Sequence, residues 1–248
     1  EAVGRVQGRE LRAIGIDVNF APVLDVDTNP ANPVIGDRSF SPDPGVVARL
    51  GCALIRGMQA QGVAACGKHF PGHGDTDLDS HLDLPVLNHD AARLERVELA
   101  PFRAAVAEGV ASFMTAHVLF PAIEPALPAT LSRCALDGIL RRRLGFDGVV
   151  FTDDMNMKAI ADHFGLEDAV IRSTLAGADV QLICGDPSAQ QAAMDLLVAA
   201  VNRGAVPHQR IAEANRRIDA LCERFVRSDP PDLSVVGCDE HQRIASSI

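Results

Sequence analysis

The chain has 248 residues, 47% of them apolar and 23% charged, which is enough to bury the core of one large domain or two small ones. Its formal net charge of −10 disfavours binding to nucleic acids, whose phosphate backbone repels acidic proteins. No run approaches the roughly 18 consecutive apolar residues that a membrane-spanning helix requires. We therefore expect a globular protein that has neither nucleic-acid nor membrane partners.

The six cysteines lie far apart in the chain, and no two of them form a CxxC pair. In a chain of this length, such scatter is typical of buried thiols in a reducing compartment and not of a disulfide framework. We therefore expect a cytoplasmic protein. Because the chain begins with Glu1, a signal segment upstream of it is left open.

Short apolar runs alternate with amphipathic stretches along the chain. The apolar runs predict five strands, at residues 17–23, 63–68, 112–118, 148–153 and 180–184. The amphipathic stretches predict six helices. Three are given by ranges, 2–14, 196–201 and 211–225, and one runs from a Ser132 cap to Gly145. The other two are indicated by their apolar faces, one of Val47, Leu50, Leu54 and Met58 and one of Phe102 and Val106.

The alternation of strands and helices predicts a parallel sheet flanked by helices, either doubly wound or closed into a (β/α)8 barrel. No GxGxxG or GxxxxGK[ST] pattern follows a strand, which disfavours the nucleotide-binding doubly wound class. Polar clusters follow four of the strands, as expected for a barrel, whose active site lies at the carboxyl ends of its strands. These clusters are Asp25 with Asp27, Lys68 with His69, His117, and Asp153 with Asp154.

A complete barrel needs eight strands, but only five can be recognised, and the chain begins on a helical pattern. We therefore expect residues 1–227 to form an α/β barrel domain that lacks its first strands. The Pro- and acid-rich residues 228–248 are expected to form a C-terminal tail.

The densest polar segment covers residues 68–81 and reads KHFPGHGDTDLDSH. Its Pro and Gly residues exclude a helix, so it is predicted to be a loop at the end of a strand. A zinc site of His69, His73 and His81 is disfavoured, because the spacing of the first two suits a helix face. A calcium loop is excluded, because the Gly and Glu that an EF-hand requires are missing at the corresponding positions.

Acid–base chemistry is the third interpretation of this segment. Asp79 and His81 are two residues apart, so their side chains can converge in an extended or turn conformation. A carboxylate that accepts a hydrogen bond from one imidazole nitrogen raises the basicity of the ring and leaves the other nitrogen free for proton transfer. The alternative, that these residues only cap turns and bind water, is left open for each of them taken alone.

Two carboxylates, Asp153 and Asp154, end the buried run GVVFTDD of residues 148–154. In a barrel, the first of them would lie in the active site, whereas the second is predicted to cap a helix. A carboxylate nucleophile with a separate proton donor is typical of a retaining glycosidase. The unusual feature is a His, and not a Glu, as the proton donor.

Several of these segments together resemble bacterial β-N-acetylhexosaminidases of glycoside hydrolase family 3. The resemblance rests on the segment 68–81, on ILRRR at 139–143 followed by GVVFTD at 148–153, and on NFAPVLD at 19–25 followed by VIGDRSF at 34–40. These motifs occur in the order that the family has them. An Asp-Gln-Glu-Gly-Gly type motif, which the family carries on an earlier strand, is absent here.

The resemblance implies a (β/α)8 barrel that removes terminal β-linked N-acetylglucosamine from muropeptides or chitooligosaccharides, most often in peptidoglycan recycling. It implies that Asp153 is the nucleophile, that His81 is the general acid and base, and that Asp79 orients His81. The positions that hydrogen-bond the sugar in this family match Arg38, Lys68 and His69. No cofactor or metal is implied, and we expect a monomer.

Two other functions are left open. The same residues suit a phosphorylase, because a His proton donor repels an incoming phosphate less than a Glu carboxylate does. A catalytically silent sugar-binding barrel is the other alternative, against which Asp79, His81 and Asp153 argue. Because the catalytic domain over residues 1–227 is expected to lack three strands, we also expect the isolated chain to aggregate readily and to bind sugar poorly.

Overall fold

The computed structural model describes residues 1–228 and 232–247, and its sheet consists of five parallel strands that pair in chain order. The strands are β1 (Val18–Asn19), β2 (Ala64–Phe70), β3 (Ser112–Thr115), β4 (Val149–Asp154) and β5 (Val180–Leu182). Each strand lies at one of the predicted apolar runs. The α/β class and the parallel sheet are therefore confirmed, and the described strands form a curled half-barrel.

Strand β1 is shorter than predicted, because Pro22 lacks the N–H group that the interior of a strand needs. The chain nevertheless stays beside β2 after this point. Val23 forms an isolated parallel bridge with Lys68, and the Leu24 N–H donates to the Lys68 carbonyl oxygen at 2.6 Å. This pairing carries Asp25 to the carboxyl end of β2.

Helices precede the first strand, occupy the segments between later strands and follow the last one. They are α1 (Ala2–Ala13), α2 (Pro44–Gln59), α3 (Ala91–Arg96), α4 (Leu99–Ala107), a π-helix (Cys134–Arg143), α5 (Lys158–Ala161), α6 (Leu166–Ala176), α7 (Pro187–Asn202), α8 (His208–Phe225) and α9 (Asp239–Ala245). The Ser132 hydroxyl accepts the Ala135 N–H in the first turn of the π-helix, as its predicted capping role requires. None of the helices in the described residues is long and apolar enough to span a membrane.

The buried face of α2 differs in part from the predicted one. Val47 and Met58 are fully buried, but Leu50 is 46% exposed. Glycines on another side of α2 let neighbouring segments of the chain approach closely. That side of the helix is therefore buried in place of Leu50. A Cβ atom on Gly57 would lie 2.3 Å from the Glu1 carbonyl oxygen, so only Gly fits where α2 meets the start of α1.

One face of the sheet packs against helices through buried aromatic rings. The ring centroid of Phe113 on β3 lies 4.7 Å from that of Phe146, and the centroid of Phe70 on β2 lies 5.3 Å from that of Phe102 on α4. Burial of each ring stabilises the fold by about 1.5–3 kcal/mol. This cluster fixes the positions of β2 and β3.

The opposite face of the sheet carries a smaller apolar cluster that α8 covers. Its buried members are Cys66, Met114, Val149 and Phe151. Ile218 and Leu221 of α8 pack against this cluster, and Phe225 packs against Ala64 and Ala111 at the amino ends of β2 and β3. Helix α8 therefore covers the amino ends of the strands, at the edge opposite to the polar residues.

Asp179, directly before β5, is a fully buried carboxylate that joins several elements. It forms ion pairs with Arg141 of the π-helix at 2.6 Å and with Arg210 and Arg217 of α8 at 2.8 and 3.2 Å. It also accepts the Val150 N–H at 3.0 Å. A single side chain thus links β4, β5, the π-helix and α8.

Part of the predicted tail folds back on α1. His241 of α9 is buried, and its Nδ1 lies 2.7 Å from Oε1 of Glu10. Arg9 pairs with Glu240 at 3.2 Å. Residues 229–231 and 248 of the predicted tail lie outside the described residues.

Candidate active site

Asp25 is the buried centre of a polar cluster at the carboxyl ends of β1 and β2. Its carboxylate accepts the N–H of His69 at 3.1 Å and that of His73 at 2.7 Å, and it lies 2.7 Å from Nδ1 of His69. Burial raises the pKa of this carboxyl, but the charge and the hydrogen bonds of His69 outweigh burial and lower the pKa below its ordinary value. Asp25 is therefore ionised at neutral pH, and it fixes the ring of His69.

Three of the predicted site residues lie within electrostatic range of one another. Burial and the charge of Arg38 lower the pKa of Lys68, while the Asp153 carboxylate acts in the opposite direction. Arg38 ends a short 3-10 turn (Gly36–Arg38), and its guanidinium donates to the Val34 carbonyl oxygen at 3.1 Å. Arg38 and Asp153 thus both lie within electrostatic range of Lys68.

Asp153 lies at the carboxyl end of β4. Burial raises the pKa of its carboxyl, but the His69 imidazole nearby and the Asp154 N–H, which donates to it at 2.9 Å, contribute to a net lowering. Nε2 of His69 has no hydrogen-bond partner within the described part of the chain. The site therefore combines an anionic carboxylate with nitrogen donors beside it.

Asp154 turns away from Asp153 and has a structural role. Its Oδ1 accepts the N–H groups of Asn156 and Cys184, each at 3.0 Å. The next helix, α5, begins only at Lys158. The prediction that Asp154 caps a helix is therefore wrong in detail, because the carboxylate closes a turn and ties β4 to the end of β5.

Asp79 and His81 form a pair in the loop that follows β2. Oδ1 of Asp79 accepts the His81 N–H at 2.8 Å and lies 2.7 Å from Nδ1 of the same residue. Burial raises the pKa of Asp79, but the two hydrogen bonds with His81 lower it overall. The His81 side chain is 61% exposed, and among the described residues no hydrogen bond or ion pair joins it to Asp153.

His73 lies beneath this loop, and both of its ring nitrogens bind hydroxyl groups. Nδ1 lies 2.8 Å from Oγ1 of Thr76, and Nε2 lies 3.0 Å from Oγ of Ser80. No group of three His, Cys, Asp or Glu side chains in residues 1–228 and 232–247 is placed to hold a metal ion. Both ring nitrogens of His73 are thus engaged by hydroxyl groups of its own loop.

Sequence reasoning left the roles of Asp25 and His117 undecided. His117 is buried, with Nδ1 at 2.7 Å from Oγ1 of Thr130 and Nε2 at 3.0 Å from the Asp154 carbonyl oxygen. Both ring nitrogens are engaged, so His117 links Thr130 to the end of β4 and offers no free nitrogen to a ligand. The only signal for Asp25 was an acidic residue directly after an apolar strand.

Comparison with known proteins gives the family of the chain. Residues 1–221 match the glycosyl hydrolase family 3 N terminal domain. A beta-hexosaminidase of Thiobacillus denitrificans is 48% identical over 184 residues, which are 74% of this chain and 51% of that protein. The chain thus spans about half the length of the curated relatives it matches.

Solved structures are similar over nearly the whole chain. A family 3 beta-N-acetylglucosaminidase from Paenibacillus sp. str. FPU-7 matches with a TM-score of 0.92 and 45% identity, over 99% of this chain and 50% of that one. The beta-glucoside phosphorylase BglX matches with a TM-score of 0.91 and 26% identity, over 99% of this chain and 48% of that one. On the match over residues 1–221, this chain belongs to glycosyl hydrolase family 3.

Proposed function

We propose that the protein is a retaining exo-β-N-acetylglucosaminidase, in which Asp153 is the nucleophile and the Asp79–His81 pair supplies the acid and the base. The observation that carries the proposal is the half-buried Asp153 carboxyl at the end of β4, whose pKa the nearby His69, His117 and Lys68 keep below its ordinary value despite burial. Such a group is ready to attack an anomeric carbon, and the nearby nitrogens can hold the sugar.

In the first step, an oxygen of the Asp153 carboxylate bonds to the anomeric carbon while the bond to the leaving oxygen breaks. The His81 imidazolium gives its Nε2 proton to that oxygen, so the aglycone departs as an alcohol. Asp79 keeps its hydrogen bond to Nδ1 throughout. It stabilises the charged ring before the transfer and fixes the tautomer afterwards.

In the second step, water replaces Asp153 on the anomeric carbon. The free Nε2 lone pair of His81 accepts a proton from this water as its oxygen attacks, which restores the imidazolium and releases the sugar with its β-configuration retained. The pair therefore returns to its starting charge in each cycle.

Arg38, Lys68 and His69 are proposed to hydrogen-bond the terminal sugar. The support is their placement at one edge of the sheet and the fixed ring of His69. The substrates proposed are muropeptides of peptidoglycan recycling or chitooligosaccharides, in the cytoplasm, and the sheet is proposed to be part of a (β/α)8 barrel. The name of the Paenibacillus relative supports the sugar, and the five parallel strands that pair in chain order support the barrel.

Phosphorolysis is the second candidate. The observation in its favour is the similarity to a beta-glucoside phosphorylase, together with a His as the proton donor. In that reaction, orthophosphate in place of water would displace Asp153 and yield a sugar 1-phosphate.

Proton NMR of an aryl β-N-acetylglucosaminide incubated with a protein in which the expected upstream strands are restored separates these functions. Free β-N-acetylglucosamine as the first product, with or without orthophosphate, would support the retaining hydrolase. A sugar 1-phosphate would support the phosphorylase, and initial release of the α-anomer would contradict a covalent intermediate on Asp153. Absence of any product would favour a silent sugar-binding barrel.

A further inference from the structure

Ser80 separates the two residues of the Asp79–His81 pair and is buried, whereas His81 is exposed. Its hydroxyl lies 3.0 Å from Nε2 of His73, and its carbonyl oxygen accepts the Ala159 N–H at 3.2 Å. The segment is thus held from two sides at its middle residue.

These two anchors come from the elements that carry the rest of the site. Ala159 belongs to α5, the helix that follows β4, which carries Asp153. The N–H of His73 donates at 2.7 Å to Asp25, the carboxylate that also fixes the ring of His69. A displacement of Ser80 would therefore change the position of the pair relative to Asp153.

Thr76 contacts both the ring and the carbonyl oxygen of His73. Its hydroxyl donates to the His73 carbonyl oxygen at 3.1 Å, and Oγ1 lies 2.8 Å from Nδ1. The tautomer with its proton on Nδ1 fits both contacts, and in it Nε2 accepts from the Ser80 hydroxyl. Burial and the charge of His69 lower the pKa of His73 to about 4, which keeps the ring neutral.

Asn32 connects the same bridge to the segment of Arg38. Its Nδ2 donates to the His73 carbonyl oxygen at 2.8 Å. Its Oδ1 accepts the N–H groups of Val34 and Ile35, directly before the turn Gly36–Arg38. The segment of Arg38, proposed to bind the sugar, and the loop of His81, proposed to supply the proton, therefore share one buried hydrogen-bond network.

We propose that His73 and Ser80 are positioning residues, which hold the Asp79–His81 pair at a fixed place relative to Asp153 through one hydrogen bond. The inference rests on the proposed function and deepens it. Neither residue transfers a proton to the substrate. Their effect is on where the proton donor stands, and a small misplacement of a reacting group costs about 100-fold in rate.

A comparison of leaving groups tests this role. A 2,4-dinitrophenyl group leaves without a proton, whereas a 4-methoxyphenyl group needs one, and kcat/KM reports the step in which it leaves. We expect Ser80→Ala and His73→Phe to lower kcat/KM about tenfold or more for the 4-methoxyphenyl β-N-acetylglucosaminide. For the 2,4-dinitrophenyl glycoside we expect less than about a twofold change.

Ser132→Ala is the matched control, because Ser132 is also buried and bonded, but in the cap of the π-helix. It should lower the urea midpoint of unfolding and leave the ratio of the two kcat/KM values unchanged. His73→Gln, whose amide oxygen can accept from Ser80, should recover part of the loss seen in His73→Phe.

His81→Ala distinguishes the positioning role of His73 and Ser80 from the acid role of His81. If it shows the leaving-group dependence while Ser80→Ala and His73→Phe resemble Ser132→Ala, the positioning role is overturned and the proposed function stands. If His81→Ala lowers both kcat/KM values equally, the acid role of His81 fails, and the positioning role fails with it.

Nitrogen-15 NMR of the imidazole rings tests the bridge without any turnover. We expect His73 to give a protonated Nδ1 and an unprotonated Nε2 at pH 7, with the Nε2 resonance shifted in Ser80→Ala. An Nε2 resonance that Ser80→Ala leaves unshifted, or a charged ring at this pH, would contradict the proposed bridge.

Discussion

Oδ2 of Asp25 lies 2.7 Å from Nδ1 of His69, and both side chains are almost completely buried. The same carboxylate accepts the N–H groups of His69 and His73, so one buried group fixes a proposed sugar-binding residue and the start of the loop that carries His81. A carboxylate with several donors around it is typical of a site whose geometry must stay fixed.

Asp25→Asn is expected to lower the free energy of unfolding by about 1–3 kcal/mol, because an amide cannot accept all of these hydrogen bonds and lacks the charge. Urea unfolding at pH 7 measures this loss. Asp77→Asn is the control, because Asp77 is an exposed acidic residue of the same loop. It should change the unfolding free energy by less than about 0.5 kcal/mol, and an equal effect of both variants would contradict the assigned role of Asp25.

Asp153→Asn is expected to reduce turnover by about 1,000-fold or more and to leave sugar binding nearly unchanged, because it removes the nucleophile and keeps the shape of the side chain. Steady-state kinetics and calorimetric binding of N-acetylglucosamine measure the two effects. Asp154→Asn weakens the turn to Asn156 and Cys184, so we expect the free energy of unfolding to fall. Turnover should change little in this variant. The assignment fails if Asp154→Asn is the inactive variant and Asp153→Asn retains turnover.

The contact between Asp79 and His81 could be predicted from the sequence, because a spacing of two residues lets the side chains converge, and the structure has it at 2.7 Å. The catalytic roles of this pair and of Asp153 stay predictions that the resemblance to the family implies. The role of Asp25 could not be predicted in this way, because its partners His69 and His73 are more than 40 residues away. Leu50 was misplaced for a related reason, since the buried face of α2 depends on the glycines that meet α1.

The pKa of His73, about 4, predicts a pH dependence of stability. The ordinary pKa of His is 6.5, so between pH 6.5 and pH 4 the unfolded chain binds a proton at this residue and the native protein does not. His73 therefore contributes a loss of unfolding free energy, up to about 1.4 kcal/mol per pH unit, as the pH falls through this range. Asp25 contributes only at lower pH, because its pKa lies below 3.8.

Urea unfolding of His73→Gln between pH 4 and 7 checks this contribution. The variant should have a flatter dependence on pH than the unmodified protein, because Gln does not titrate. His208→Gln is the matched control, since His208 is exposed at the start of α8, and it should keep the original slope. An unchanged slope in His73→Gln would contradict a neutral, buried His73.

Asp179 predicts a contrast between a buried and an exposed ion pair. Its carboxylate is fully buried with Arg141, Arg210 and Arg217, so Asp179→Asn leaves three guanidinium groups with one charge fewer to balance them. We expect a loss of about 3–5 kcal/mol in the free energy of unfolding.

Asp147→Asn breaks pairs with Arg216 and with Arg217, but the Asp147 side chain is 63% exposed. Water replaces its hydrogen bonds and screens the charges, so the loss should stay below about 1 kcal/mol. Urea unfolding of both variants measures the contrast. Losses of similar size would mean that Asp179 does not fix α8 across the amino ends of the strands, and that the apolar cluster around Ile218 and Leu221 holds the helix by itself.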